Sequence, residues 1–208
     1  MSIDTFTSLV KSELQSMLGV SIYSIEDEAQ AGSEIAKALD QSASSDLLIR
    51  YESDGSLFAA ASRLMFCDQH ILKLDMSITL RDSVGGDFSV TELNKLHSSL
   101  RSIRNGIPAL LPRYMCYARV TPRGIPEKLH DMLVIETIPL IDHVFSTSHF
   151  DLPGLRRRML SEQNRETLLD PTLRHLAGIR TTGNRTFVFL SKQYLDQNGI
   201  PYRYRMFT

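Results

Sequence analysis

LLIRYESDGSLFAAASRLMFCDQHILKLDMSITL, residues 47–80, is the stretch whose pairing decides the fold. It reads as three strands joined by two tight turns, SDGS and CDQ, with Asp54-Gly55 supplying the positive-φ chemistry that lets neighbouring strands double back. In the third strand Leu72, Leu74, Met76, Ile78 and Leu80 alternate with Lys73, Asp75, Ser77 and Thr79, the period of two of a half-buried antiparallel strand. A three-strand meander is therefore expected, with one apolar face to be covered. The next helical pattern is the candidate cover. Ser89 and Glu92 have capping-box spacing, Val90, Leu93, Leu96, Leu100 and Ile103 follow at helical offsets, and Asn105-Gly106 closes the run. His97 lies beside that stripe, where a boundary residue is expected.

Composition narrows the class of protein. With 208 residues, 42% of them hydrophobic, the chain is long enough to bury one large core or two small ones. A formal charge of −1 removes the global electrostatic case for nucleic acid, because phosphate binding leaves a strong basic excess. Cys67 and Cys116 lie far apart without paired spacing, which favours reduced thiols in a cytoplasmic protein. The opening MSIDTFTSLVKSELQS has neither a basic n-region nor a continuous apolar core, so no secretory signal is expected there. No apolar run reaches membrane-spanning length, so no membrane insertion is expected.

Along the chain, Ile3, Phe6, Leu9, Val10, Leu14, Met17 and Leu18 make an amphipathic helix that stops at Gly19. Such a helix docks on its own sheet by default. The sharper alternative is a partner contact through Phe6, Leu9 and Leu14. Residues 26–40 read as a second, thinly apolar helix with acids in its first turn. RYMCYARVT and the strand centred on Met132 to Ile138 read as a hairpin across the turn PRGIP. Glu136 is the acid to watch, although a carboxylate on an alternating strand usually faces outward. Two short helices are expected at Pro153–Gln163 and Pro171–Ala177, each with proline near its first turn. Arg156, Arg157 and Arg158 are a solvated helix face by default, or an anion or acidic-peptide contact. The chain then reads as a closing hairpin, NRTFVFLSKQYLD and IPYRYRMFT, around Asn198-Gly199. Its final strand reads as an edge, because Pro201 is tolerated only where a ladder hydrogen bond is not required. Tyr202, Arg203, Tyr204 and Arg205 are of the types enriched at binding hot spots, and are candidate partner-binding residues.

Motifs that would mark an enzyme are absent: no GxSxG, phosphate loop, GxGxxG, HExxH or paired-cysteine site occurs. His143, His149 and Asp151 invite a metal reading, but their spacing is not that of a helical HxxxH pair. Neither catalytic residues, metal nor cofactor is assigned.

Two resemblances are carried by these residues. The layout over residues 3–121, a terminal amphipathic helix, a meander, a helix and further strands, resembles bacterial secretion-system chaperones and adaptors. The chain is longer than typical type III chaperones, which brings kinship with type IV adaptors into play. This resemblance implies a non-enzymatic subunit that binds a segment of a partner protein in a hetero-oligomeric complex. LLIRYESDGSLFAAASRLMF is similar to the arginine-bearing strand pair of chorismate lyases, and RTFVFLSKQYLDQNGIPYRY to the closing hairpin of related ligand-sensing domains. The second resemblance implies an aromatic-carboxylate site with Arg50 as anion-binding residue and Glu136 as its acid. The expectation is one α+β domain, an antiparallel sheet with helices mainly on one face, in which residues 1–139 form a core lobe and residues 140–208 a C-terminal lobe. Its expected function is that of a cytoplasmic adaptor or chaperone, with a small-molecule carboxylate domain as the alternative.

Overall fold

A computed structural model of the chain describes residues 3–24, 32, 34, 47–51, 57–66, 75–81, 92–120, 128–146, 176–182 and 185–207. Within residues 47–80, strand β2 (Leu47–Arg50) and strand β3 (Leu57–Phe66) form the expected antiparallel pair, with Leu47 opposite Ala60 and Ile49 opposite Phe58. The Asp54-Gly55 and CDQ turns lie outside the described residues. The third strand of the expected meander goes elsewhere. Strand β4 (Asp75–Arg81) pairs with strand β8 (Arg185–Ser191) in a different sheet, and β3 takes strand β5 (Tyr114–Val120) as its parallel neighbour. Alternation fixes that a strand is half-buried without fixing its neighbour, so the pattern in β4 was equally compatible with either sheet. The better sign was in β3 and β5. Ala59, Ala60 and Ala61 are buried in succession, as is every residue of β5, which marks strands covered on both faces.

The architecture is α+β, with a mixed, mostly antiparallel sheet of six strands. Its order runs β1 (Ser21–Ser24), β2, β3, β5, β6 (Leu129–Glu136) and β9 (Tyr202–Met206). A second sheet has the order β4, β8, β7, with β7 at Ala177–Thr182. The chain separates into two units, each assembled from discontinuous segments. The first is Met1–Leu72, Leu110–Thr137 and Tyr202–Thr208; the second is Lys73–Ala109 and Ile138–Pro201. The expected break at 139/140 falls beside one of these crossings, but residues 73–109 and 202–208 lie on the other side of it.

In the first unit, helix α1 (Ile3–Leu18) packs on its own sheet. Val10 and Leu14 join Ile22, Leu47, Ile49, Ala60, Cys116, Ala118, Met132 and Val134 in one core cluster. Leu14 is fully buried there, so it belongs to the core of the unit and not to an outward partner face. Gly19, at φ +67°, ends the helix and donates to the Gln15 carbonyl at 2.8 Å. The β5–β6 hairpin forms as expected, with Cys116 opposite Val134 and an irregularity between Arg119 and Val120. Strand β6 ends at Glu136, not Ile138. Helix α3 (Thr137–Ser146), whose residues from Ile138 on belong to the second unit, follows, because Pro139 needs no N–H donor in a first turn and Leu140, Ile141 and Val144 are each buried at helical spacing.

The second unit places helix α2 (Glu92–Arg104) against β4, the strand it was expected to cover, with Leu93, Leu96 and Leu100 buried. Gly106, at φ +72°, closes α2 with a double hydrogen bond, from the Ile107 amide to Ser102 and from the Gly106 amide to Ile103. Ser89, the proposed cap, lies outside the described residues. The expected closing hairpin is replaced by a helix, α4 (Lys192–Gln197). The Ser191 hydroxyl accepts from the Tyr194 amide at 3.1 Å to start it, and Gly199 stops it with the same double bond that closes α2. Strand β9 then pairs with β6, Met132 opposite Arg205. Gly199 has φ +63° and open space where a Cβ would lie, so Gly199→Ala is expected to cost about 1 kcal/mol through backbone conformation alone. Urea unfolding of the variant checks this. Of the remaining expected helices, residues 26–40 fall outside the description except Gly32 and Glu34, as does Pro153–Gln163. Ala177, expected to end a helix, begins β7.

Candidate functional site

Register brings an arginine onto three aromatic rings at one end of the first unit's sheet. Phe58 stands opposite Ile49 and Tyr114 opposite Ala60, so the side chains of Tyr51, Phe58 and Tyr114 leave one face of three adjacent chain segments. Phe58 and Tyr51 meet edge to face, 5.4 Å between centroids. The guanidinium of Arg113 lies 4.3 Å from the Phe58 centroid and 5.4 Å from each of Tyr51 and Tyr114, within cation–π range. Its backbone is held on both sides: the Arg113 amide donates to Ala59 at 2.7 Å, and its carbonyl accepts from Thr137 at 3.0 Å. Arg113 is an exposed residue.

The Tyr51 and Tyr114 hydroxyls are 2.7 Å apart. Burial, then the hydrogen bond to Tyr51, pushes the Tyr114 phenol up to about 12, with Arg113 opposing the shift and Glu136 adding to it. Tyr114 therefore stays protonated across the physiological range. The cluster offers a guanidinium, a hydrogen-bonded phenol pair and aromatic walls.

A second group of charges is structural. On the sheet face opposite the α1 core, buried Arg119 forks onto fully buried Asp131, with Nε to Oδ1 at 2.7 Å and a second contact from Nη2 to Oδ2. The Tyr204 hydroxyl donates to the same carboxylate at 3.1 Å. Across β9 from Tyr204, Arg203 donates to the Met17 carbonyl at 2.8 Å and Arg205 to Ser16 at 2.9 Å and Glu13 at 3.4 Å, fastening the strand to the C-terminal half of α1.

Arg50 and Glu136 are both exposed at strand ends. Strands β3 and β5 separate their strands, about 14 Å of sheet. Phe6 and Leu9 lie on α1 with side chains outside the described residues, and Arg156 and Arg157 lie outside them altogether. Tyr202 is half-buried on β9, which is the last strand in its sheet as expected. Arg113 was not singled out from the sequence. The signal available was a pair of Arg-Tyr dipeptides, Arg50-Tyr51 and Arg113-Tyr114, each at a strand end.

In the second unit, His97 of α2 stacks on Phe145 of α3 at 3.6 Å and 14°, while Arg104 and Asp142 bridge the same helices. The boundary placement expected of His97 is what is found. His143 bonds the buried Tyr194 hydroxyl at 2.8 Å; His149 and Asp151 lie outside the described residues. Burial, then Arg101, lowers the pKa of His97, with Asp142 opposing and Arg104 assisting. A histidine lowered on folding contributes stability above its ordinary value near 6.5 and loses it as pH falls below that. The melting temperature of the wild type is therefore expected to fall more than that of His97→Gln between about pH 7.5 and about pH 5.

Among the described residues no group of three or more His, Cys, Asp or Glu side chains is placed to hold a metal ion, and no helix is long and apolar enough to cross a membrane. Cys116 is buried and forms no disulfide. The fold and this cluster define an α+β protein with an arginine-aromatic surface site. No family model matches the chain, and no match was found among curated proteins or solved structures.

Proposed function

We propose that the chain is a non-enzymatic cytoplasmic adaptor or chaperone that grips a segment of a partner protein, as secretion-system adaptors do, within a hetero-oligomeric complex. The observation that carries this reading is the Arg113 cluster. Arginine and tyrosine dominate binding energy at protein interfaces, and here they are pre-positioned, with Arg113 fixed by its backbone and by three rings before any partner arrives.

Affinity capture of the full chain from its native cells, followed by mass spectrometry and reconstitution with the recovered protein, tests the proposal. One partner is expected, with one segment protected from proteolysis in the complex and retention weakened by Arg113→Ala. Recovery of the chain alone, together with a rise in melting temperature on adding an aromatic carboxylate, would overturn it. That outcome would favour the second reading, a small carboxylate-binding domain, which the aromatic walls around Arg113 also suit.

A further inference from the structure

We infer that Arg113 is a carboxylate-recognition point, and that the partner segment presents an aspartate, a glutamate or a chain-terminal carboxylate to it. The inference deepens the adaptor proposal and depends on it only for the carboxylate being carried by a protein.

A cation–π contact is made through the charge and accepts no hydrogen bond at a lone pair, so the contacts of Arg113 with Tyr51, Phe58 and Tyr114 do not satisfy its five N–H donors. Other arginines of the protein spend those donors on acids: Arg119 on Asp131, Arg205 on Glu13 and Arg104 on Asp142. Among the described residues no carboxylate pairs with Arg113. Glu136, opposite Tyr114 in register, acts on the phenol instead.

The hydroxyl pair supplies a further donor. Two phenols carry two protons, and their mutual hydrogen bond at 2.7 Å uses one. The other O–H is available to an incoming oxygen. Tyr114 keeps its proton at any physiological pH, so its phenol does not become an anion that would repel a carboxylate. A planar carboxylate suits the in-plane guanidinium fork, which donates two parallel N–H···O bonds to it. An aromatic or apolar group beside that carboxylate would lie along Tyr51 and Phe58, which are half-buried.

The test is nuclear magnetic resonance of the full chain, observing the Arg113 Nε–H signal during titration with sodium benzoate, a capped hexapeptide containing Phe-Glu, inorganic phosphate, and neutral benzamide. Benzoate and the peptide are expected to move the signal saturably, and benzamide not to move it. Arg113→Lys keeps the charge but loses the fork, and is expected to weaken peptide binding by about 10-fold. Tyr51→Phe, which removes one hydroxyl of the pair, is expected to weaken it by a smaller factor. Unchanged melting temperatures show that these variants fold.

An Arg113 signal unmoved by benzoate and peptide, movement with phosphate alone, or peptide binding unchanged in Arg113→Lys would each overturn the inference. A partner captured equally by wild type and Arg113→Lys would also overturn it while leaving the adaptor reading intact. Benzoate and peptide binding without any captured partner would uphold the carboxylate site and remove the adaptor reading.

Discussion

Replacing Asp131 by alanine is expected to destabilise the first unit by about 3–5 kcal/mol, the range for removing one partner of a buried ion pair. The cost comes from what is left behind. Arg119 is 7% exposed and Asp131 fully buried, so the variant takes from a guanidinium with little access to water the carboxylate it forks onto, and removes the carboxylate to which the Tyr204 hydroxyl donates. The double replacement Arg119→Met with Asp131→Leu removes both charges and is expected to recover most of the loss, since apolar residues of similar volume commonly replace such pairs without penalty. Urea unfolding followed by circular dichroism measures both, because the chain has no tryptophan to report by fluorescence. A loss below about 1 kcal/mol for Asp131→Ala would show that water reaches Arg119 in solution.

Leu14→Ala is expected to cost about 2–5 kcal/mol, the range for emptying a packed leucine site. Leu14 has no exposed surface and belongs to the cluster that joins α1 to β1, β2, β3, β5 and β6. A core that draws on so many elements cannot collapse around a missing side chain by moving one of them, which puts the cost in the upper part of the range. The same variant separates two roles for α1. A helix docked on its own sheet loses stability when Leu14 is cut back, whereas a helix held out for a partner would lose binding and keep its melting temperature.

Elements were legible in the sequence where a local signal marked them. Apolar runs flanking the turn signals Asp54-Gly55 and PRGIP gave the strands within residues 47–66 and 114–136, and Gly19 and Asn105-Gly106 gave helix ends that carry φ +67° and φ +72°. Neighbours close in the chain, β2 with β3 and β5 with β6, were legible, and neighbours distant in the chain were not. Nothing in the pattern of β4 says that it pairs with β8, because a period of two describes a face and not a partner. The closing segment misled for a related reason: Asn198-Gly199 is good hairpin chemistry, yet it is also a helix stop, and Ser191 three residues before Tyr194 was the cap that decided between them. The Arg113 cluster was hidden because its members come from three segments that meet only through the β2–β3 and β3–β5 registers.

Strand β9 completes the first unit's sheet only after α3, β7, β8 and α4 have been built. A ribosome therefore releases β6 long before the strand that flanks it exists, and through that interval the nascent chain carries a bare ladder rich in Val134, Leu133 and Met132. Such an edge recruits strangers. Synthesis of this protein should lean on holding factors until its final strand emerges.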